Sequence, residues 1–411
     1  MQHFFTLSNG ISCVFTQMPT KSVSLLVLVK AGSRYENASQ KGISHFLEHM
    51  FFKGGKKYTT AKSVSEAIDS VGGSFNAFTG KESAGYSVRC SSADFSLASD
   101  VLSDMLLYAP FYDSEIEKER GVILEELHMY EDTPLYQSGW DFEKFMYGDQ
   151  PLGWDTIGEK ECITSVQSQD FHQYKKELYT PDNMVISVAG GLSLSEVQQQ
   201  LENDFSSLSG KVQRSFLPVE EKKPSVSYFS HKKNTEQVHF VFGGFGVPAK
   251  HPDQYTQKLV SLMLGGMMSS RMFLRIREEK GLCYYISSAV DEYIDSGLLS
   301  VSAGVDRTRF AESIEAIQKE YDEILKHGFL DEELLKVKKY SMGQMTLSLE
   351  SSSNIAYMNA KQLLLYTEVL TPEQIFDRIT AVTKQEVQDF VHKFFQKDNR
   401  FLSFIGPYDS L

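Results

Sequence analysis

The sequence predicts an α+β fold built from two homologous domains, each a mixed or antiparallel sheet covered by helices. Three observations lead there. At 411 residues the chain is too long for one ordinary core. Strand-like and helix-like segments are intermixed along it, a pattern that packs as helices over a sheet. The same order of strand, helix, strand pair and long helix occurs in each half, which implies an internal duplication of roughly 200 residues.

The elements follow in turn. KSVSLLVLVKAGSRYE, residues 21–36, reads as a strand entering a Gly turn, with a helix from about Ile43 and another near Thr60. GGSFNAFTG and SAGYSVRCS are short alternating runs joined through Gly80, as in paired strands. DFSLASDVLSDMLLYA and DSEIEKERGVILEELHMYED carry helical periodicity, MVISVAGG is a strand, and SLSEVQQQLENDF closes the first half as a helix. From Ser206 to Pro224 polarity rises and periodicity disappears, as in a linker. Domains are therefore expected at 1–212 and 225–411, with a linker at 213–224. In the second half QVHFVFGGFGV is a strand, QYTQKLVSLMLGG a helix, CYYISSAVDEYIDSGLLSVSAGVD a strand pair and RFAESIEAIQKEYDEILKHG a long helix.

Composition narrows the function classes. A formal charge of −13 argues against nucleic acid or an anionic membrane surface as the main partner, because binding phosphate depends on Lys and Arg. The N-terminal MQHFFTLSNGISCVF lacks the basic region and long apolar run of a signal peptide, and no stretch of about 18 apolar residues could span a bilayer. Cys13, Cys90, Cys162 and Cys283 are scattered without CxxC spacing, so they read as packing residues in a reducing compartment. A cytoplasmic protein is expected.

The stretch KGISHFLEHMFFKG, Lys41 to Gly54, carries the chemistry. At roughly 100° per residue, Phe46, Leu47, Met50 and Phe51 fall within about 80° of Ile43, and this arc is the core face. His45, Glu48 and His49 fall at about 200°, 140° and 240°, on the opposite side. Two histidines at i and i+4 can reach one metal ion, and Glu48 flanks the pair closely enough to act on a water there. The bland alternative is a solvated polar face. Phe52, at about 180°, argues for a face that is covered.

A catalytic zinc takes three protein ligands, so a third donor is needed. On the helix EIEKERGVILEEL, Glu126 and Glu119 lie at about 280° and 300° from Ile116, at the border of the apolar arc, whereas Glu125 lies near 180°. A carboxylate at the edge of a core requires a partner, either a metal or a Lys or Arg.

These residues resemble the inverted-zincin peptidases, marked by HxxEH, and specifically the family of pitrilysin, insulysin and the mitochondrial processing peptidase. HFLEHMFFKG, ERGVILEE, GGSFNAFT with its following KE, PLGWDTIG, NMVISVAGG and RIREEKGLCYYISS all contribute, so the likeness spans most of the chain. The resemblance implies one zinc per chain held by His45, His49 and Glu126, the last separated from His49 by the family's gap of 76 residues (positions 50–125). It also implies Glu48 as general base, Glu119 supporting the ligands, and Phe75, Asn76 and Ala77 on a sheet edge that takes up substrate backbone. Arg277 and Tyr284, seven residues apart, would grip the substrate carbonyl. From the residues alone, Asn76 reads as a turn residue, Arg277 as a surface ion-pairing residue and Tyr284 as strand packing.

The second half has no HxxEH, so only the first can be catalytic. Pitrilysin and insulysin carry four such domains on a chain about twice as long; this one resembles half of a clamshell, as in the short bacterial and organellar members. The expected protein is a zinc metalloendopeptidase cleaving unfolded peptides in an enclosed chamber formed by a homodimer, with Arg277 and Tyr284 serving the partner's zinc. The alternatives are a heterodimer with a degenerate relative, a non-catalytic scaffold or metal-binding subunit, and a metal storage or sensor protein.

Overall fold

The computed structural model, which describes residues 2–366 and 369–410, forms two units. The first comprises Met1–Leu127, Trp154–Leu217 and Thr346–Val369; the second comprises His128–Gly153, Pro218–Met345 and Leu370–Leu411. Neither is a continuous stretch of sequence.

The first unit holds a six-stranded sheet of β1 (Gln2–Thr6), β2 (Ser12–Gln17), β3 (Ser22–Val29), β4 (Ser74–Thr79), β5 (Ala84–Ser91) and β6 (Met184–Gly190), in the order β1-β2-β6-β3-β5-β4. Only β2 and β6 pair in parallel. The central strand β3, SVSLLVLV, is apolar on both faces and therefore needs cover on both. One cover is the helix Ser352–Lys361, whose Ile355, Ala356 and Ala360 pack on Leu26 and Leu28. Ser24 on the same face hydrogen-bonds the hydroxyls of Ser352 and Ser353 at 2.8 and 3.0 Å. Leu25 and Val27 alternate to the other face and are fully buried.

The unit also holds the helices α1 (Ile43–Phe51), α2 (Ala61–Asp69, capped by Thr60) and α3 (Phe95–Tyr108), and most of α4 (Asp113–Glu131); α1 and α4 carry the residues of the site. A fifth, α5 (Pro134–Tyr147), belongs to the second unit. That unit's sheet contains β7 (Tyr228–Lys232), β8 (Gln237–Phe245), β9 (Cys283–Glu292), β10 (Gly297–Asp306) and β11 (Phe401–Gly406), in the order β7-β11-β8-β10-β9. Phe142, Met146 and Tyr147 of α5 pack on Val241, Phe245, Leu298 and Phe401, while the helices Phe310–His327 and Lys384–Phe394 contribute to the main core.

The duplication is visible in the topology. With β1 set aside, each sheet runs first, last, second, fourth, third strand, and in each the first and last strands are parallel while the other pairs are antiparallel. Each sheet takes one covering helix from the other half of the sequence, Ser352–Lys361 on the first and α5 on the second. Residues 213–224 contain no helix or strand. The expected helix over QYTQKLVSLMLGG is α-helical only from Gln254 to Ser261 and continues as a π-helical turn, Leu262–Gly266. No helix among the described residues is long and apolar enough to cross a membrane.

Candidate metal centre

Helix α1 buries Ile43, Phe46, Leu47, Met50 and Phe51, the face its periodicity predicts. Phe46 meets Phe171 edge-on at 5.0 Å, and Phe51 meets Tyr86 and Phe111 at 5.2 and 5.8 Å, which fixes the helix about its own axis. Its N-cap is Gly42, with φ +93°, because a Cβ there would lie 2.5 Å from the Ile157 carbonyl oxygen. Gly42 brings no capping side chain, and Glu36 supplies one from six residues upstream. The buried Glu36 carboxylate accepts the N–H groups of Gly42 and Ser44, each at 2.8 Å, at the positive end of the helix.

On the opposite face, His45 and His49 meet Glu126 of α4. Glu126 Oε2 lies 3.8 Å from His45 Nε2 and 3.6 Å from His49 Nε2. The imidazole centroids are 4.7 Å apart. Among the described residues this trio is the one group of three or more His, Cys, Asp or Glu side chains with ligand atoms mutually close, all within 4.8 Å. A tetrahedral zinc with bonds of about 2.0–2.2 Å would set its donors roughly 3.3–3.6 Å apart, and the two separations from Glu126 Oε2 lie within a few tenths of an ångström of that range. Two imidazoles and a carboxylate are a donor set that fits zinc.

The two histidines are supported differently. Burial, with His49 adding, drives the His45 imidazole down to about 3, so it is neutral with a lone pair to offer. Its Nδ1 is buried and has no hydrogen-bond partner among the described residues. His49 is held by Glu119, whose Oε1 lies 2.8 Å from Nδ1. Burial would raise the Glu119 carboxyl, but hydrogen bonds from His49 and Lys53 outweigh it and hold it below the usual carboxylate range. An ionised Glu119 takes the Nδ1 proton in hydrogen bond and leaves Nε2 facing Glu126. Glu119 and Glu126 are seven residues apart, two turns along one face of α4. Glu125 is exposed.

Burial raises the Glu48 carboxyl above its ordinary value; the Thr79 hydrogen bond and His49 oppose this, and Glu126 adds to it. The Thr79 hydroxyl donates to Glu48 Oε2. Thr79 ends β4, the edge strand carrying Phe75, Asn76 and Ala77. Phe75 and Phe52 stack at 5.2 Å, so β4 covers this side of α1. Asn76 is exposed, and its Oδ1 accepts the Ala77 N–H at 3.0 Å. Arg277 and Tyr284 lie in the second unit. There Arg277 Nε donates to the Tyr284 carbonyl oxygen at 3.2 Å, its guanidinium sits 4.6 Å above the Phe273 ring, and the Tyr284 side chain is 61% exposed.

Sequence reasoning passed over Glu36, Lys53 and Thr79. Lys53 stands four residues after His49 and forms an ion pair with Glu119 Oε2. The i+4 spacing was readable for Lys53, whereas the contacts of Glu36 and Thr79 depend on how the chain turns back on α1.

Comparison with known proteins agrees with this architecture. The profile of the insulinase family (peptidase family M16) matches residues 13–150, and that of the peptidase M16 inactive domain matches residues 165–340. The chain is 35% identical over 404 residues to YmxG of Bacillus subtilis, described as an uncharacterized zinc protease, and the match covers 98% of each chain. It is 32% identical over 411 residues to another such protein from Rickettsia felis, covering 98% of this chain and 97% of that one. Among solved structures, a protease from Helicobacter pylori superposes with a TM-score of 0.92 at 22% identity, covering 99% of each chain. A peptidase M16 inactive domain from Pseudomonas fluorescens gives 0.92 at 18%, covering 100% of this chain and 98% of that one. With relatives this similar along nearly its whole length, the chain belongs to the insulinase family of peptidases, family M16, as one of its short bacterial-type members.

Proposed function

We propose that this chain is a zinc-dependent endopeptidase acting on unfolded peptides. The observation that carries the reading is the convergence of His45 and His49 of α1 with Glu126 of α4, with Glu48 on the same face of α1 and an open sheet edge beside it. Zinc, when bound, supplies Lewis acidity toward the scissile carbonyl and lowers the pKa of water. His45, His49 and Glu126 would hold it; Glu119 keeps the proton of His49 on Nδ1.

Glu48 accepts a proton from the attacking water and returns it to the leaving amine, a role suited to a carboxyl whose burial raises its basicity. The free edge of β4 adds a peptide strand through main-chain hydrogen bonds, which asks for extended and unfolded substrate rather than a particular sequence. Support for the zinc assignment also comes from the relatives described as zinc proteases.

We assign Arg277 and Tyr284 to stabilising charge on the carbonyl oxygen of a substrate bound at the partner's metal, within a chamber enclosed by a homodimer. One chain carrying both the HxxEH group and this pair supports that arrangement over a heterodimer. The four free thiols fit a reducing, cytoplasmic setting. A fluorogenic peptide assay with and without a chelator tests the reading. Cleavage abolished by the chelator and restored by zinc is expected, whereas zinc uptake without cleavage points to a storage or sensor protein.

A further inference from the structure

Thr79 is the one hydrogen-bond donor to the Glu48 carboxylate among the described residues. Its own support is rigid. Thr79 pairs with Ala84 across the β4–β5 hairpin. The following Gly80 donates its N–H to the Ser83 carbonyl at 2.9 Å and accepts the Ser33 N–H at 3.4 Å, and Arg34 N–H reaches Lys81 O at 3.0 Å. The backbone at Gly32 runs so close that a Cβ there would lie 2.2 Å from the Gly80 oxygen.

A glutamate has three rotatable side-chain bonds, and a half-buried one without a donor samples several rotamers. We propose that Thr79 is the positioning residue of the general base, fixing the Glu48 carboxylate from the same strand whose open edge takes the peptide. This rests on the peptidase reading. It adds that β4 has two tasks, main-chain recognition along its free edge and alignment of the base at its last residue. A positioned base in a supported shell reacts faster than one that must first find its rotamer.

Thr79→Val keeps the β-branched shape and removes the hydroxyl; Thr79→Ser keeps the hydroxyl on a smaller side chain. The measurements are zinc content, kcat and KM on a fluorogenic peptide, and the Glu48 rotamer in crystals of the metal-free full chain. The expected result for Thr79→Val is a fall in kcat of about 10-fold, a fraction of the roughly 10²–10⁴ that a general base supplies. KM should stay within about two-fold and zinc content should be unchanged, with serine restoring most of the loss. Glu48 should hold one rotamer in the wild type and Thr79→Ser and spread over several in Thr79→Val. A Thr79→Val kcat within about two-fold of wild type overturns the proposal, as does a loss expressed in KM or zinc content or one that serine does not restore. Wild-type protein that binds zinc and cleaves nothing refutes the peptidase reading instead, and the rotamer comparison then decides the role of Thr79 by itself.

Discussion

Replacing Glu119 with alanine isolates the contribution of the residue behind His49, one of the three proposed zinc ligands. Glu119 Oε1 is 2.8 Å from His49 Nδ1, and its other oxygen pairs with Lys53. Alanine removes the acceptor that fixes the His49 tautomer and takes away a negative charge near the cation, and both changes weaken zinc binding. A hydrogen bond to a charged acceptor is worth about 1.5–3 kcal/mol. At about 1.4 kcal/mol per decade this corresponds to a loss of roughly 10- to 100-fold in zinc affinity, the range typical of a ligand's outer partner. Competition against a chromophoric chelator measures it, with circular dichroism to verify folding. A folded Glu119→Ala protein that binds zinc within about two-fold of wild type would falsify the claim that Glu119 orients His49.

Three further outcomes are expected. Glu48→Gln should keep its zinc and lose about 10²–10⁴ in kcat, and near-normal peptide hydrolysis would remove Glu48 from the role of base. Mixing Glu48→Gln with Tyr284→Phe protein under conditions of subunit exchange should restore part of the activity; no recovery would exclude the arrangement in which one chain serves its partner's zinc. The third concerns Lys175, which burial pushes down to about 8 from an ordinary value near 10.5, with its Nζ donating to Leu107 O at 2.8 Å. The native state therefore binds fewer protons than the unfolded chain between those two values, and stability rises with pH across that window. Lys175→Met should raise the Tm at pH 7, by the order of 1–3 kcal/mol in stability, with the gain shrinking from about pH 8 to pH 10.5. A gain that grows with pH would contradict the assigned cause.

The HxxEH face was legible because helical geometry is local: once Ile43, Phe46, Leu47 and Met50 are buried, His45, Glu48 and His49 must face the other way. Glu126 was separable from Glu125 for the same reason, by its angle to the apolar arc of α4. The duplication was legible as element order, and the matching strand permutation of the two sheets follows from it. What local pattern could not supply was the second cover of each sheet. Strand β3 announces by its apolar run that both faces are buried, yet nothing in it names Ile355, Ala356 and Ala360, more than 300 positions away, as the partners. The strands β1, β2, β7 and β11 also went unpredicted. Each is a short run whose partners lie far away in sequence or in another element, as β11 shows by pairing with β7 in parallel and with β8 antiparallel.

The sequence by itself determined the helix faces, the side-chain types offered on each and the repeated α+β order, since each depends on residue spacing within one element and on side-chain chemistry. Only the tertiary structure decided that Glu36 caps α1, that Lys53 and Glu119 stand behind His49, and that Thr79 holds Glu48. Those contacts join residues whose proximity arises from chain reversals and long-range packing, and their directions are set by where the backbone lies rather than by any period in the sequence.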